Sequence, residues 1–207
     1  MEKLTYKDLE INLYEGNLGV KASGGADSSL LLYLLAKYTD SPITAYVLSS
    51  KQYNYVEETI VRTVVDKIHE ILSKECIKVS PILVEQKTLE VLLYETNKQS
   101  EADKIDMLYG GITKSPNTLI NNLPLSDDEI KDRDPSYKSE TLFENKYAPF
   151  ANVDKRKISE IYNEENIVDT IFPLTLSCIR IISGQTKKHC EECWFCKERL
   201  WAFGRII

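Results

Sequence analysis

A strand-like run that passes through two glycines straight into a leucine-dense helix is the feature that most restricts this chain. Residues 18–22 (LGVKA) are mostly apolar and stop at Ser23-Gly24-Gly25. From Asp27 to Tyr38 the pattern is helical, with leucines at 30, 31, 32, 34 and 35 and no Gly or Pro. Leucines crowded this densely predict a helix buried on more than one side. A strand entering a helix this way presents backbone N–H groups at the positive end of the helix dipole, a ready anion site for which phosphate is the usual ligand. Gly24 and Gly25 carry no Cβ, so a ligand can approach the backbone, and Ser23, Ser28 and Ser29 add hydroxyl donors. Asp27 beside a phosphate calls for a bridging cation, which points to Mg²⁺. The spacing matches neither GxxxxGK[ST] nor GxGxxG. Read locally, the same residues also suit a plain strand-to-helix turn capped by Asp27.

The segments that follow alternate in the same manner, so an α/β fold is expected, with a parallel sheet and helices on both faces. Residues 43–48 read as a second strand after the turn signal Asp40-Ser41-Pro42. Asn54 and Glu57 form a capping box for a helix over 54–74, whose Val56, Ile60, Val64, Ile68 and Leu72 repeat at i+4. Residues 77–84 form a third strand, with Pro81 marking an edge or a bulge. A polar-faced helix over 87–102 and a fourth strand over 106–109, ending at Gly110-Gly111, complete a core domain expected to span 1–150. Residues 113–148 hold prolines 116, 124 and 135 and an acidic run, and no clear periodicity; a functional lid and a disordered loop fit equally. Asp154 reads as the N-cap of a helix reaching about Glu164. That helix opens a C-terminal segment, 151–207, which carries a cluster of cysteines.

Net charge bears on the choice of partners. With 26 basic and 32 acidic residues the chain carries −6, which argues against nucleic acid and anionic membrane. The longest apolar run, residues 30–36, is far too short to span a bilayer. The opening MEKLTYKDLE has no apolar core for a secretory signal, so a reducing cytoplasm is expected. Four of the five cysteines fall at Cys178, Cys190, Cys193 and Cys196, spaced C-x11-C-x2-C-x2-C. Zinc takes four thiolates tetrahedrally, and with no open position such a site is structural. An iron–sulfur cluster and disulfides also remain open to this set. His189 is expected to be exposed, and Cys76 to be a small buried hydrophobe.

SGGADS resembles the SGGxDS signature of PP-loop ATP pyrophosphatases, a Rossmann-like (HUP-type) family that splits ATP between its α and β phosphates. The resemblance implies ATP at this loop, with Ser23, Gly24, Gly25, Asp27, Ser28 and Ser29 around pyrophosphate and Mg²⁺. At the other end, Pro149, Lys155, Ile158, Thr175, Ser177, the four cysteines, Arg199, Ala202 and Phe203 are similar to the end of the 7-cyano-7-deazaguanine synthases. In that family the cysteines bind Zn²⁺. Together the two motif blocks cover roughly 18–48 and 147–204.

The resemblance implies ATP-dependent adenylation of a carboxylate, amination by ammonia, and conversion of a deazapurine acid towards its nitrile. Asp27, Lys155 and Arg199 are then the candidate catalytic residues, and Lys155 and Arg199 the candidates for the α-phosphate. The family's middle motifs are missing, and Glu191 stands where it carries a glycine. A dimer is implied, with Trp201, Phe203, Ile206 and Ile207 at an interface or in the core. A non-catalytic ATP-binding regulator and a PP-loop tRNA-thiolating enzyme are the competing readings; the latter needs a basic face and thiols beyond the metal set.

Overall fold

The structure, a computed structural model, describes residues 2–50, 56–85, 89–114, 116, 142–178 and 189–206. The expected Asn54 cap, the start of the helix placed at 87, most of segment 113–148 and Ile207 lie outside the described residues. Strand β1 (Glu2–Tyr6) pairs antiparallel with β2 (Leu9–Leu13). The main sheet is built from β3 (Leu18–Lys21), β4 (Ile43–Ser50), β5 (Ile77–Val84), β6 (Met107–Gly110), β7 (Leu142–Phe143) and β8 (Lys146–Tyr147). Their order is β5-β4-β3-β6-β8-β7, parallel except where β7 meets β8. The α/β fold is therefore the one expected. Pro81 sits on β5, an edge strand, where its missing N–H costs no ladder bond.

Helices α1 (Ala26–Tyr38) and α2 (Val56–Leu72) cross from β3 to β4 and from β4 to β5. Helix α3 (Leu89–Ala102) returns to β6 on the far side of β3. Right-handed crossovers in opposite directions place α3 on the sheet face opposite α1 and α2. Ten of the thirteen α1 residues are buried, because the helix packs against the sheet, α2 and α4 (Lys155–Glu164) together. That explains its leucines on every side. Ile158, Ile161 and Tyr162 of α4 and Phe172 of the 3-10 turn Phe172–Leu174 join the same core. Asp154 caps α4 by accepting the Arg156 N–H at 2.9 Å. Helix α5 (Trp194–Phe203) ends at Gly204 and packs on α4, and Phe203 stacks on Phe172 with centroids 3.8 Å apart.

Several elements were not anticipated, among them the first hairpin and the β7–β8 pair. The β1–β2 hairpin buries Leu9, Ile11 and Leu13 alternately, and its chain is pinned to the main sheet by tyrosine hydroxyls. Tyr147 accepts the Asn12 N–H, Tyr109 accepts the Tyr14 N–H, and Tyr109 donates to the Asn12 carbonyl. Strand β8 also corrects the reading of 113–148 as a stretch without regular structure, since Lys146 and Tyr147 pair with Leu108 and Tyr109. Among the described residues no helix is long and apolar enough to cross a membrane.

Candidate functional site

The strand order changes direction at β3, with β4 and β5 on one side and β6 and β8 on the other. In open α/β sheets the crevice beyond the carboxyl ends of such strands is where ligands bind. Ser23-Gly24-Gly25 follows β3 at this place and Gly111 follows β6. Gly24 adopts φ +75°, and a Cβ there would stand 2.7 Å from Ile60 Cγ2 of α2. A Cβ on Gly111 would come within 2.7 Å of the Ser28 amide nitrogen. Both glycines are thus required for the backbones to close on the start of α1. Gly25 is the N-cap of α1 and no side chain caps the helix there, so its first turn faces the crevice with its own amides.

The three serines have separate surroundings. Ser23 is exposed at the loop tip. Ser28 Oγ accepts the Ser23 N–H at 3.3 Å and donates to the Gly25 carbonyl at 3.2 Å, bracing the loop from beneath. Ser29 is only 1% exposed and lies in the core-facing part of α1.

Asp27 and Lys155, 128 positions apart, meet at the loop. Lys155 Nζ stands 3.1 Å from Asp27 Oδ2 and 3.2 Å from Glu198 Oε2. All three side chains are largely or wholly shielded, Glu198 to 1% exposure. Sequence reasoning missed Glu198, which stands between two residues already marked. Tyr162, fully buried, donates to the Ala26 carbonyl at 2.9 Å and locks α4 to the first turn of α1. Desolvation pushes its phenol well above the usual range.

Arg199 is turned into the interior. Its guanidinium donates to Thr175 Oγ1 and to the Phe172 carbonyl, both at 2.8 Å, and its Cζ stands over the Phe172 ring, 3.8 Å from the ring centre. Burial lowers it to about 10, so it stays a cation at neutral pH. Arg199 is 1% exposed, and these contacts make it a strut between α5 and the 3-10 turn.

The cysteines come together. The Sγ atoms of Cys178, Cys190, Cys193 and Cys196 lie within 4.8 Å of one another. The Cys193 N–H donates to Cys190 Sγ at 3.3 Å. Against burial, which opposes charge, the amides of Cys193 and Glu192 hold the Cys190 thiol down at about 6. Four thiolates at about 2.3 Å around one tetrahedral ion stand about 3.8 Å apart, close to the 4.0 Å between Cys190 and Cys196. The set could hold a metal. His189 is half-buried rather than exposed, with Nδ1 3.5 Å from Cys196 Sγ. Burial and the Arg199 charge lower it to about 4 and keep it neutral.

Loop and thiolates share a wall. The Leu176 N–H donates to the Gly24 carbonyl at 2.8 Å, two residues before Cys178. Leu176, Cys178 and Cys196 form a small apolar cluster with Val56 and Ile60, the residue that confines Gly24.

Lys21, the last residue of β3, was also missed. Strand alternation turns it to the α3 face, where Nζ donates to Asn97 Oδ1 at 3.2 Å. Burial lowers it to about 8, with Lys146 adding repulsion. A lysine depressed by folding penalises the native state fully below pH 8, and the penalty fades as pH rises towards the ordinary lysine value. Lys21→Met is therefore expected to raise stability at pH 7 by about 2 kcal/mol. Urea unfolding at pH 7 and pH 10 checks this: the gain should largely vanish at the higher pH.

No protein-family model and no curated protein matches this chain. Among solved structures, NMN synthetase from Francisella tularensis has a TM-score of 0.51 and 14% identity, over 93% of this chain and 78% of its own. The U34-tRNA thiolase NcsA from Methanococcus maripaludis, solved with its 4Fe-4S cluster, covers 93% of this chain and 72% of its own. Its TM-score is 0.49 at 16% identity. This chain and the NMN synthetase share a fold. At such identity the likeness extends to architecture alone.

Proposed function

We propose that this chain is a PP-loop ATP pyrophosphatase that adenylates a carboxylate and aminates it, with a 7-carboxy-7-deazaguanine-like acid as acceptor and ammonia as nitrogen donor. The observation that carries this reading is the meeting of the SGGADSS loop with Lys155 through Asp27, at the carboxyl ends of β3 and β6. Amides of Gly25 and the first turn of α1 receive the β and γ phosphates, and Ser23 adds a hydroxyl. Asp27 holds Mg²⁺, an ion that binds through one or two carboxylates plus phosphate oxygens and neutralises their charge. Lys155, paired to Asp27, is the candidate cation for the same phosphates.

The acceptor's carboxylate oxygen attacks the α-phosphorus, the Pα–O–Pβ bond breaks, and pyrophosphate leaves. Ammonia then attacks the acyl carbon and AMP departs with the oxygen, giving the amide; a second adenylation, on the amide oxygen, leads to the nitrile. A carboxylate oxygen is a poor leaving group and AMP a good one, so the protein's task is to position the reactants and balance charge. The four cysteines hold Zn²⁺ as a closed structural ion. A cytoplasmic homodimer without nucleic acid completes the proposal.

One observation favours a second reading. The contact between Leu176 and Gly24 brings the thiolate cluster beside the loop, an arrangement that a sulfur-transferring PP-loop enzyme acting on tRNA would use; the charge of −6 weighs against it. Purified protein with Mg·ATP, ammonium and 7-carboxy-7-deazaguanine should release pyrophosphate and AMP. Release with sulfide and tRNA but not with the acid would transfer the assignment to the second reading. Release with neither would leave nucleotide binding without turnover.

A further inference from the structure

We infer that Glu198 is a positioning residue of the nucleotide loop, holding Lys155 beside Asp27 and setting the loop's dependence on Mg²⁺. The inference rests on the nucleotide reading above. Lys155 Nζ is shared between Asp27 Oδ2 at 3.1 Å and Glu198 Oε2 at 3.2 Å, all three groups being screened from water. Two carboxylates around one ammonium give the trio a charge of −1. Arg199, buried nearby, hydrogen-bonds to Thr175 and the Phe172 carbonyl and faces the core, away from the trio's shared ammonium. A polyphosphate arriving without a cation thus meets an excess of carboxylate in the trio, and one carrying Mg²⁺ brings positive charge that offsets it. In a poorly screened interior, one charge removed within about 6 Å of Asp27 changes this balance strongly.

Position 198 also has a defined mechanical origin. Glu198 lies on α5, two residues after Cys196. The helix that carries a thiolate of the cluster therefore delivers the second carboxylate to Lys155. A buried glutamate on a ten-residue helix has a large desolvation cost to offset, and its ion pair with Lys155 does so.

The test compares wild type with Glu198→Gln, which keeps size and shape and removes the charge. ATP binding is measured calorimetrically with Mg²⁺ and again with Mg²⁺ chelated by excess EDTA. Wild type should lose at least tenfold in affinity on chelation, and Glu198→Gln at most about threefold, because free ATP now meets one negative charge fewer. Equal Mg²⁺ dependence in both proteins overturns the role in Mg²⁺ selection. The positioning role has its own readout, independent of nucleotide: reductive methylation of Lys155, followed by peptide mass spectrometry. Glu198→Gln should raise Lys155 labelling several-fold while labelling of exposed Lys3 stays constant, and unchanged Lys155 labelling overturns the positioning role. If wild type binds no ATP, the nucleotide reading and the Mg²⁺ role fall together, whereas the labelling result still decides whether Glu198 holds Lys155. Near-UV circular dichroism and elemental zinc analysis of Glu198→Gln should match wild type, which separates these effects from unfolding.

Discussion

Replacing Lys155 with methionine should lower stability by about 3–5 kcal/mol and weaken Mg·ATP binding at least tenfold. The loss has one physical source. Methionine preserves most of the stem's packing but removes the ammonium that Asp27 and Glu198 share, and breaking a buried ion pair from one side costs about that much. For a chain of this size the change corresponds to a fall of roughly 10 °C in melting temperature. The double variant Lys155→Met/Glu198→Gln should recover part of the stability, because one stranded charge is gone, but none of the nucleotide affinity. Urea unfolding and calorimetric titration with Mg·ATP check the two halves separately. Equal stability of the single and double variants would refute the coupling between residues 155 and 198.

Cys193→Ser should remove the bound metal and lower the melting temperature by about 10 °C or more. Metal affinity at such a site is folding free energy, because the unfolded chain holds no preformed tetrad. Here the effect should be localised first: Cys178 follows the Leu176–Gly24 contact and Cys196 lies in the first turn of α5. Loosening the tetrad thus releases both walls of the glycine loop. Elemental analysis should give about one zinc per wild-type chain and almost none in the variant, and hydrogen exchange should show faster exchange at 176 and in α5 before the sheet is affected. Three or four irons per chain with labile sulfide would replace the single-ion assignment by a cluster.

Much of this architecture is legible from residue patterns. The runs at 18–21, 43–50 and 77–84 are strands because apolar, β-rich segments bounded by turn signals have few other places to go, and the all-round leucines of α1 foretell its burial. The β1–β2 hairpin escaped because its alternation, Leu9-Ile11-Leu13, is only three apolar residues long. Strand β8 is two residues, too short for any period. The gathering of the four cysteines agrees with their close spacing in sequence. Glu198 is not legible in this way, because a buried carboxylate looks like a surface one until its partner, 43 positions earlier, is brought to it. Arg199 shows the converse: a basic residue beside a motif is drawn to mind as a phosphate ligand, yet an aromatic ring and a carbonyl hold it inside the fold.

The order in which the ion trio is synthesised has a consequence for biogenesis. Asp27 leaves the ribosome first, Lys155 much later and Glu198 last. At about 5–20 residues per second, roughly 10 to 30 s separate the first from the last. During that interval the glycine turn and the start of α1 exist without the cation that later meets Asp27 or the helix that backs it. A nascent chain is accordingly a sheet with an unclosed crevice, and closure is a late, C-terminal event. Fragments ending before residue 198 should then be most protease-sensitive at the glycine loop and the start of α1.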